Sequence, residues 1–200
     1  MADYTQAIAL NKIQQAALRI LFEGLNAEIT VQNGVFDITD GEFFAAIGQT
    51  DPNINAEQIP PDNFYAGHIP SLLKAEISKY PNVACIASQA TPQRSTDDWG
   101  DMYNVSLAVE LMARSEAVPA AKEFQAQLEV NGRIQRMMEA AHVVILENRT
   151  LRNTVPRLSS RPTVFVSDAF VRRENTSGTG DKWFWQGARL EYPVEKYSAD

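Results

Sequence analysis

The sequence is poor in the residues that most chemistry needs. It holds one cysteine, Cys85, and two histidines, His68 and His142. A single cysteine excludes an intrachain disulfide. Set in the apolar run Val83, Ala84, Cys85, Ile86, Ala87, it reads as a small buried hydrophobe without redox work. The second histidine that a His-Glu-x-x-His zinc site requires is missing near His142, which reads as a surface or core-edge residue. No Gly-x-Ser-x-Gly elbow is present for a nucleophilic serine. Basic residues form no patch: Arg172 and Arg173 make the longest run, and the net charge is −7 with a pI near 4.9. That balance excludes a dedicated nucleic-acid binder, yet it suits a surface along which DNA passes without adhering. No run approaches the ~20 apolar residues of a membrane-spanning helix. The N-terminus lacks the basic and apolar regions of a secretory signal, so a cytosol-like compartment is expected.

What is present is an ordinary globular composition, 44% hydrophobic and 22% charged over 200 residues. Leu10, Ile13, Ala17 and Leu21 recur at three and four residues and predict a helix over residues 3–25, capped by Asp3 and stopped at Gly24. Residues 27–32 suggest a short strand, with Asn33 and Gly34 as a turn and residues 35–38 as the hairpin partner. A helical turn over 40–48 and irregular chain follow, an arrangement often functional, here expected to reach a neighbouring molecule. Pro70 opens a short helix that Pro81 ends, and a strand follows over 82–88.

The clearest strand spans 102–113. Tyr103, Val105, Leu107, Val109 and Leu111 point one way, and Asn104, Ser106, Ala108 and Glu110 the other. Pro119 opens a long helix over 120–147 with a stripe of Phe124, Leu128, Ile134, Met138, Ala141 and Ile145, and a kink or a shortened start is expected at Asn131 and Gly132. Strands over 163–173 and 182–196 close the chain through a loop at 175–180. The expected fold class is α+β: a mostly antiparallel or mixed sheet, helices packed mainly on one face, and a long helix between strand pairs. Residues 1–68 read as an N-terminal helix with an irregular extension and residues 69–200 as the core, together one compact domain.

Candidate sites are few. Asp97, Asp98 and Asp101 are the densest carboxylates, followed by Asp37, Asp40 and Glu42; neither set alternates as a calcium loop does, and both read as solvated loop acid. Ser177, Gly178, Thr179 and Gly180 lack the Gly-Lys-Ser/Thr ending of a phosphate loop and read as a hairpin turn. No catalytic residue, cofactor or metal is expected. The strongest signal is aromatic. On the last strand Phe184, Ala188, Leu190, Tyr192 and Val194 share one face; Trp183 and Trp185, with Arg189, Glu191 and Glu195, share the other. If the first set meets the helices, both indoles project from the back of the sheet. Three readings stand: a contact with another chain, a cover made by residues 26–68, or a ligand pocket.

Element order then carries a resemblance over residues 70–196. A short helix precedes YPNVACI at 80–86; MYNVSLAVEL follows at 102–111, a helix holds VNGRIQRMMEAA at 130–141, and the closing hairpin contains WFWQGARLEY at 183–192. This order resembles the tail-terminator, or tail-completion, subunits from the neck of tailed bacteriophages. The resemblance implies a virion structural protein and not an enzyme: a homohexameric ring that caps the tail tube, docks on a head-side connector or stopper and lets genomic DNA through its lumen. It implies assembly in the host cytoplasm, with a sheath protein as a further partner. Contacts are expected at Trp99, Trp183 and Trp185, and at Asn175, Ser177, Gly178 and Gly180 of the mobile hairpin loop. Three alternatives remain: another neck or baseplate component, a non-viral acidic α/β enzyme with a metal-dependent site, or a small adaptor that binds a peptide or helix partner.

Overall fold

Apolar residues at helical spacing build the first helix, α1 (Leu10–Val35). Ile13, Ala17, Ile20, Leu21, Leu25 and Ile29 form its buried stripe. The computed structural model describes residues 10–35, 46, 55–67, 80–89, 105–116, 118–155, 157–173 and 182–194. Among these, residues 27–35 are helical, so the strand expected at 27–32 and the turn at Asn33 and Gly34 are overturned. Ile29 extends the apolar stripe, and burial of that stripe outweighs the local turn preference of Asn-Gly. Gly24 does not stop the helix. A Cβ there would lie 3.4 Å from both methyls of Val144 on the second helix, so the glycine permits a close helix crossing.

That second helix, α2 (Glu123–Glu147), follows a 3-10 turn at Ala120–Lys122 and runs unbroken through Asn131 and Gly132. Its buried face holds Ala126, Val130, Ile134, Met137, Ala141 and Ile145. The expected stripe is therefore turned slightly: Phe124 stands 71% exposed and Leu128 only partly covered.

The strands are β1 (Phe64–Ala66), β2 (Asn82–Gln89), β3 (Val105–Arg114), β4 (Thr163–Val166), β5 (Phe170–Arg173) and β6 (Lys182–Pro193). They make one sheet in the order β1-β2-β3-β6-β4, with β5 also on β6. β1 runs parallel to β2; every other pairing is antiparallel. The sheet is thus mixed, and the fold is α+β. β1 lies where irregular chain was expected. β4 and β5 are one broken strand: Val166 opposes Ala188 and Phe170 opposes Trp185, so residues 167–169 bulge against only Gln186 and Gly187. Ser167 stabilises this bulge. Its N–H donates to Gly187 O at 2.9 Å, and its hydroxyl accepts from Gly187 N–H at 3.1 Å.

Both helices cover the same face of the sheet. Val83, Cys85, Leu107, Val109, Leu111, Leu190 and Tyr192 join the helix stripes in one core. α1 belongs to that core, so the described parts of 1–68 pack within their own chain. Two asparagines on α1 show how. Asn26 exchanges two hydrogen bonds with the backbone of Ile59, at 2.8 and 2.9 Å, and Asn33 two with Ala56, at 2.9 and 3.0 Å. Each side-chain amide serves the extended strap as a neighbouring peptide would. The strap is also tied to α2, through Arg133 to Glu57 and Arg136 to Asn55. As far as it is described, the extension binds its own helices. After α2 the chain reverses through Leu151, Arg152 and Asn153, at φ 46°, 55° and 68°. Three successive left-handed residues without glycine store strain; the fully buried Leu151 and an ion pair from Arg152 to Glu23 hold them.

Candidate functional site

The face of the sheet turned away from the helices carries the candidate residues. On β6 the odd-numbered residues point there, as the period of two requires. Trp183 and Trp185 occupy one end of this face. Tyr80 packs on both: its ring centroid is 5.7 Å from that of Trp183, at 62°, and 6.4 Å from that of Trp185. Trp183 is only 2% exposed, while Trp185 is half-buried. The expectation that both indoles project as contact anchors is corrected for Trp183. A residue from just ahead of β2 spends that indole inside the subunit, in an edge-to-face arrangement favourable to aromatic pairs. Among the described residues the ring contact on Trp183 comes from Tyr80, which lies outside the segment 26–68 considered from sequence. Trp99 and the loop residues Asn175, Ser177, Gly178 and Gly180 lie outside the described residues.

Further along the same face a polar row crosses three strands. Ser88 and Ser106 hydroxyls meet at 2.9 Å, and Ser106 donates to Glu191 at 3.0 Å. Arg189 stands between Glu191, at 3.4 Å, and Glu110, at 3.3 Å. Sequence periodicity places all of these on the outer face; their pairing depends on the register that sets Glu110 against Arg189 and Ala108 against Glu191. The small Ala84 and Ala108 sit among them, both fully buried. Beside the row lies an open hollow of about 220 Å³ bordered by Glu110, Met112, Phe165, Ser167, Gly187 and Arg189. Such a depression is smaller and more open than the usual small-molecule site.

Among the described residues, the cysteine, the histidine and the core tyrosine are occupied structurally. Cys85 is fully buried, and burial pushes its thiol far up from its ordinary range. A thiol held protonated is a poor nucleophile. Tyr192 lies in the core; burial first, and the Glu139 carboxylate second, raise its phenol. Its hydroxyl meets His142 Nδ1 at 3.1 Å, which fixes the histidine at the core edge. Asp97, Asp98, Asp101, Asp37, Asp40, Glu42 and His68 fall outside the described residues. Among the described residues no group of His, Cys, Asp and Glu is arranged to hold a metal ion, and no helix is long and apolar enough to cross a membrane.

Sequence reasoning missed the edge of the sheet. Val164, Phe165 and Val166 are all about half exposed on β4. The signal available was the run of three apolar residues inside a segment otherwise rich in Ser, Arg and Pro. The chain matches no protein-family model and no curated protein.

Proposed function

We propose that this chain is a structural subunit of a tailed-phage neck, a ring-forming tail terminator. In this reading it caps the tail tube, meets a head-side connector or stopper, and assembles in the host cytoplasm into the virion. Its action is mechanical. Subunit contacts close a ring, one rim takes the tube and the other the connector, and DNA passes through the lumen.

One observation carries the reading. Large apolar side chains stand exposed in three separate places: Phe22 and Val31 on α1, Phe124 at the start of α2, and Val164, Phe165 and Val166 on β4. The contiguous β4 triplet marks a contact surface, and exposure on three elements leaves room for the two unlike side surfaces and further contacts that a ring member needs. The α+β architecture with a long helix between strand pairs agrees with the element order that suggested the family. The net charge of −7 keeps a channel from gripping the phosphate backbone.

Native mass spectrometry and negative-stain microscopy of the purified chain, alone and with a tail-tube protein, test the reading. A ring of six copies, formed alone or on the end of a tube, is the expected result. A particle that stays free of rings at high concentration and in the presence of tube protein overturns it.

A further inference from the structure

β4 is the outermost strand on its side of the sheet among the described residues. Charge, proline, shortness and bulges commonly guard such an edge; here Arg161, Pro162 and the bulge stand at the ends of β4, while Val164, Phe165 and Val166 between them are 51%, 53% and 46% exposed. The hydrogen bonds fix what the edge offers. Ser159 N–H donates to Pro193 O at 2.8 Å, and Ser167 N–H to Gly187 O at 2.9 Å. An antiparallel strand alternates its bonding side residue by residue. Thr163 and Phe165 therefore bond inward to β6, and the N–H and C=O of Val164 and Val166 point away from the sheet. The sequence there, Thr163-Val164-Phe165-Val166-Ser167, is nearly symmetric about Phe165.

We infer that a second copy of this chain occupies this edge, its own β4 running antiparallel with the register centred on Phe165. Val164 of each copy then opposes Val166 of the other, and the outward N–H and C=O groups of both residues find partners. The two Phe165 side chains meet at the central, closely spaced position of the ladder. Charge selects the same direction. The exposed Arg161 and Asp168 flank the apolar triplet. Antiparallel pairing brings Arg161 of each copy within one residue of Asp168 of the other, at both ends; parallel pairing would set arginine beside arginine. A four-residue edge buries far less than the roughly 1,200–2,000 Å² of a stable complex, so the pair forms in a concentration-dependent way. It has two-fold symmetry and cannot by itself close a head-to-tail ring of six. The inference stands apart from the ring reading, whose lateral contacts then fall to other surfaces.

Sedimentation velocity of the full chain, from about 1 μM to about 1 mM, tests it. A monomer that converts to dimer with rising concentration is expected. Val164→Pro removes no bond to β6, because that N–H points outward, and it should weaken pairing at least ~10-fold with the thermal midpoint of the dilute monomer unchanged. Arg161→Asp should also weaken pairing, and Arg161→Asp combined with Asp168→Arg should restore it. The inference is overturned by a chain that remains monomeric throughout, by Val164→Pro pairing as tightly as the parent, or by a charge swap that fails to restore. Should Val164→Pro not fold, the charge series decides alone. Rings of six without any dimer would sink the pairing and leave the ring reading intact; dimers without rings would do the reverse.

Discussion

The two faces of β3 and β6 are made from alternate residues of the same strands, and they differ in kind. Toward the helices lie Leu107, Val109, Leu111, Ala188, Leu190 and Tyr192, each no more than 5% exposed. Away from them lie Ser106, Glu110, Arg189 and Glu191, half-buried and bonded to one another, with Trp183 and Tyr80 at one end. The difference teaches that the outer face is not uniform. At its aromatic end Trp183 is buried and Tyr80 packs on both indoles. Its middle is a half-buried polar row, and at its β4 margin Phe165 stands half exposed.

The largest expected effect tests the aromatic end. Trp183→Ala should lower the unfolding free energy by about 3–5 kcal/mol, read from urea denaturation followed by circular dichroism. An indole serving only as an anchor for another chain would leave the midpoint of the isolated subunit in place. Leu111→Ala on the helix-covered face should cost about 2–5 kcal/mol in the same assay. Comparable losses at the two positions would make the aromatic end part of the fold's core; a large loss at Leu111 alone would restore the contrast between faces.

The polar row should respond weakly. Its side chains are about one-quarter to one-third exposed, so solvent screens their pairing. Arg189→Met should cost about 1 kcal/mol or less, and added salt should shrink the difference between parent and variant. A loss as large as that of Leu111→Ala would mean the row is as dry as the core.

The smallest effect is one of sign. Burial raises the Glu129 carboxyl above its ordinary value of 4.5, more than the neighbouring Arg133 guanidinium lowers it. A carboxyl raised by folding binds more protons in the folded state, so its contribution is most favourable at pH below 4.5 and is lost as pH rises through the raised value. Glu23 is opposite. Hydrogen bonds from Arg19 and Arg152 lower it, so its contribution is present above 4.5 and lost as pH falls through the lowered value. Denaturation across this range should show Glu129→Gln removing a decline with rising pH, and Glu23→Gln removing a rise.

Much of this was legible in the residues. The period of two over residues 105–113 assigned Leu107 and Glu110 to opposite faces, and the same alternation set the tryptophans beside Arg189 and Glu191. The helical spacing of Ile134, Ala141 and Ile145 marked α2 through its Asn-Gly pair. Misreadings fell where local preference and long-range contact disagree. Asn33 and Gly34 have the chemistry of a turn, but Ile29 is buried in the core and Asn33 is bonded to Ala56, partners that no local window contains. β1 is short and lacks a pattern of its own; it forms because β2 offers it a parallel ladder. Tyr80 carries no mark in the sequence that it will cap Trp183.

By itself the sequence determined which residues turn inward and which outward along each strand and helix, because side-chain direction follows backbone period and needs no partner. Only the tertiary structure decided what each residue meets: Tyr80 on Trp183, Arg189 between two glutamates, and solvent beside Val164, Phe165 and Val166. Those outcomes depend on strand order and register, which bring together residues far apart in the chain.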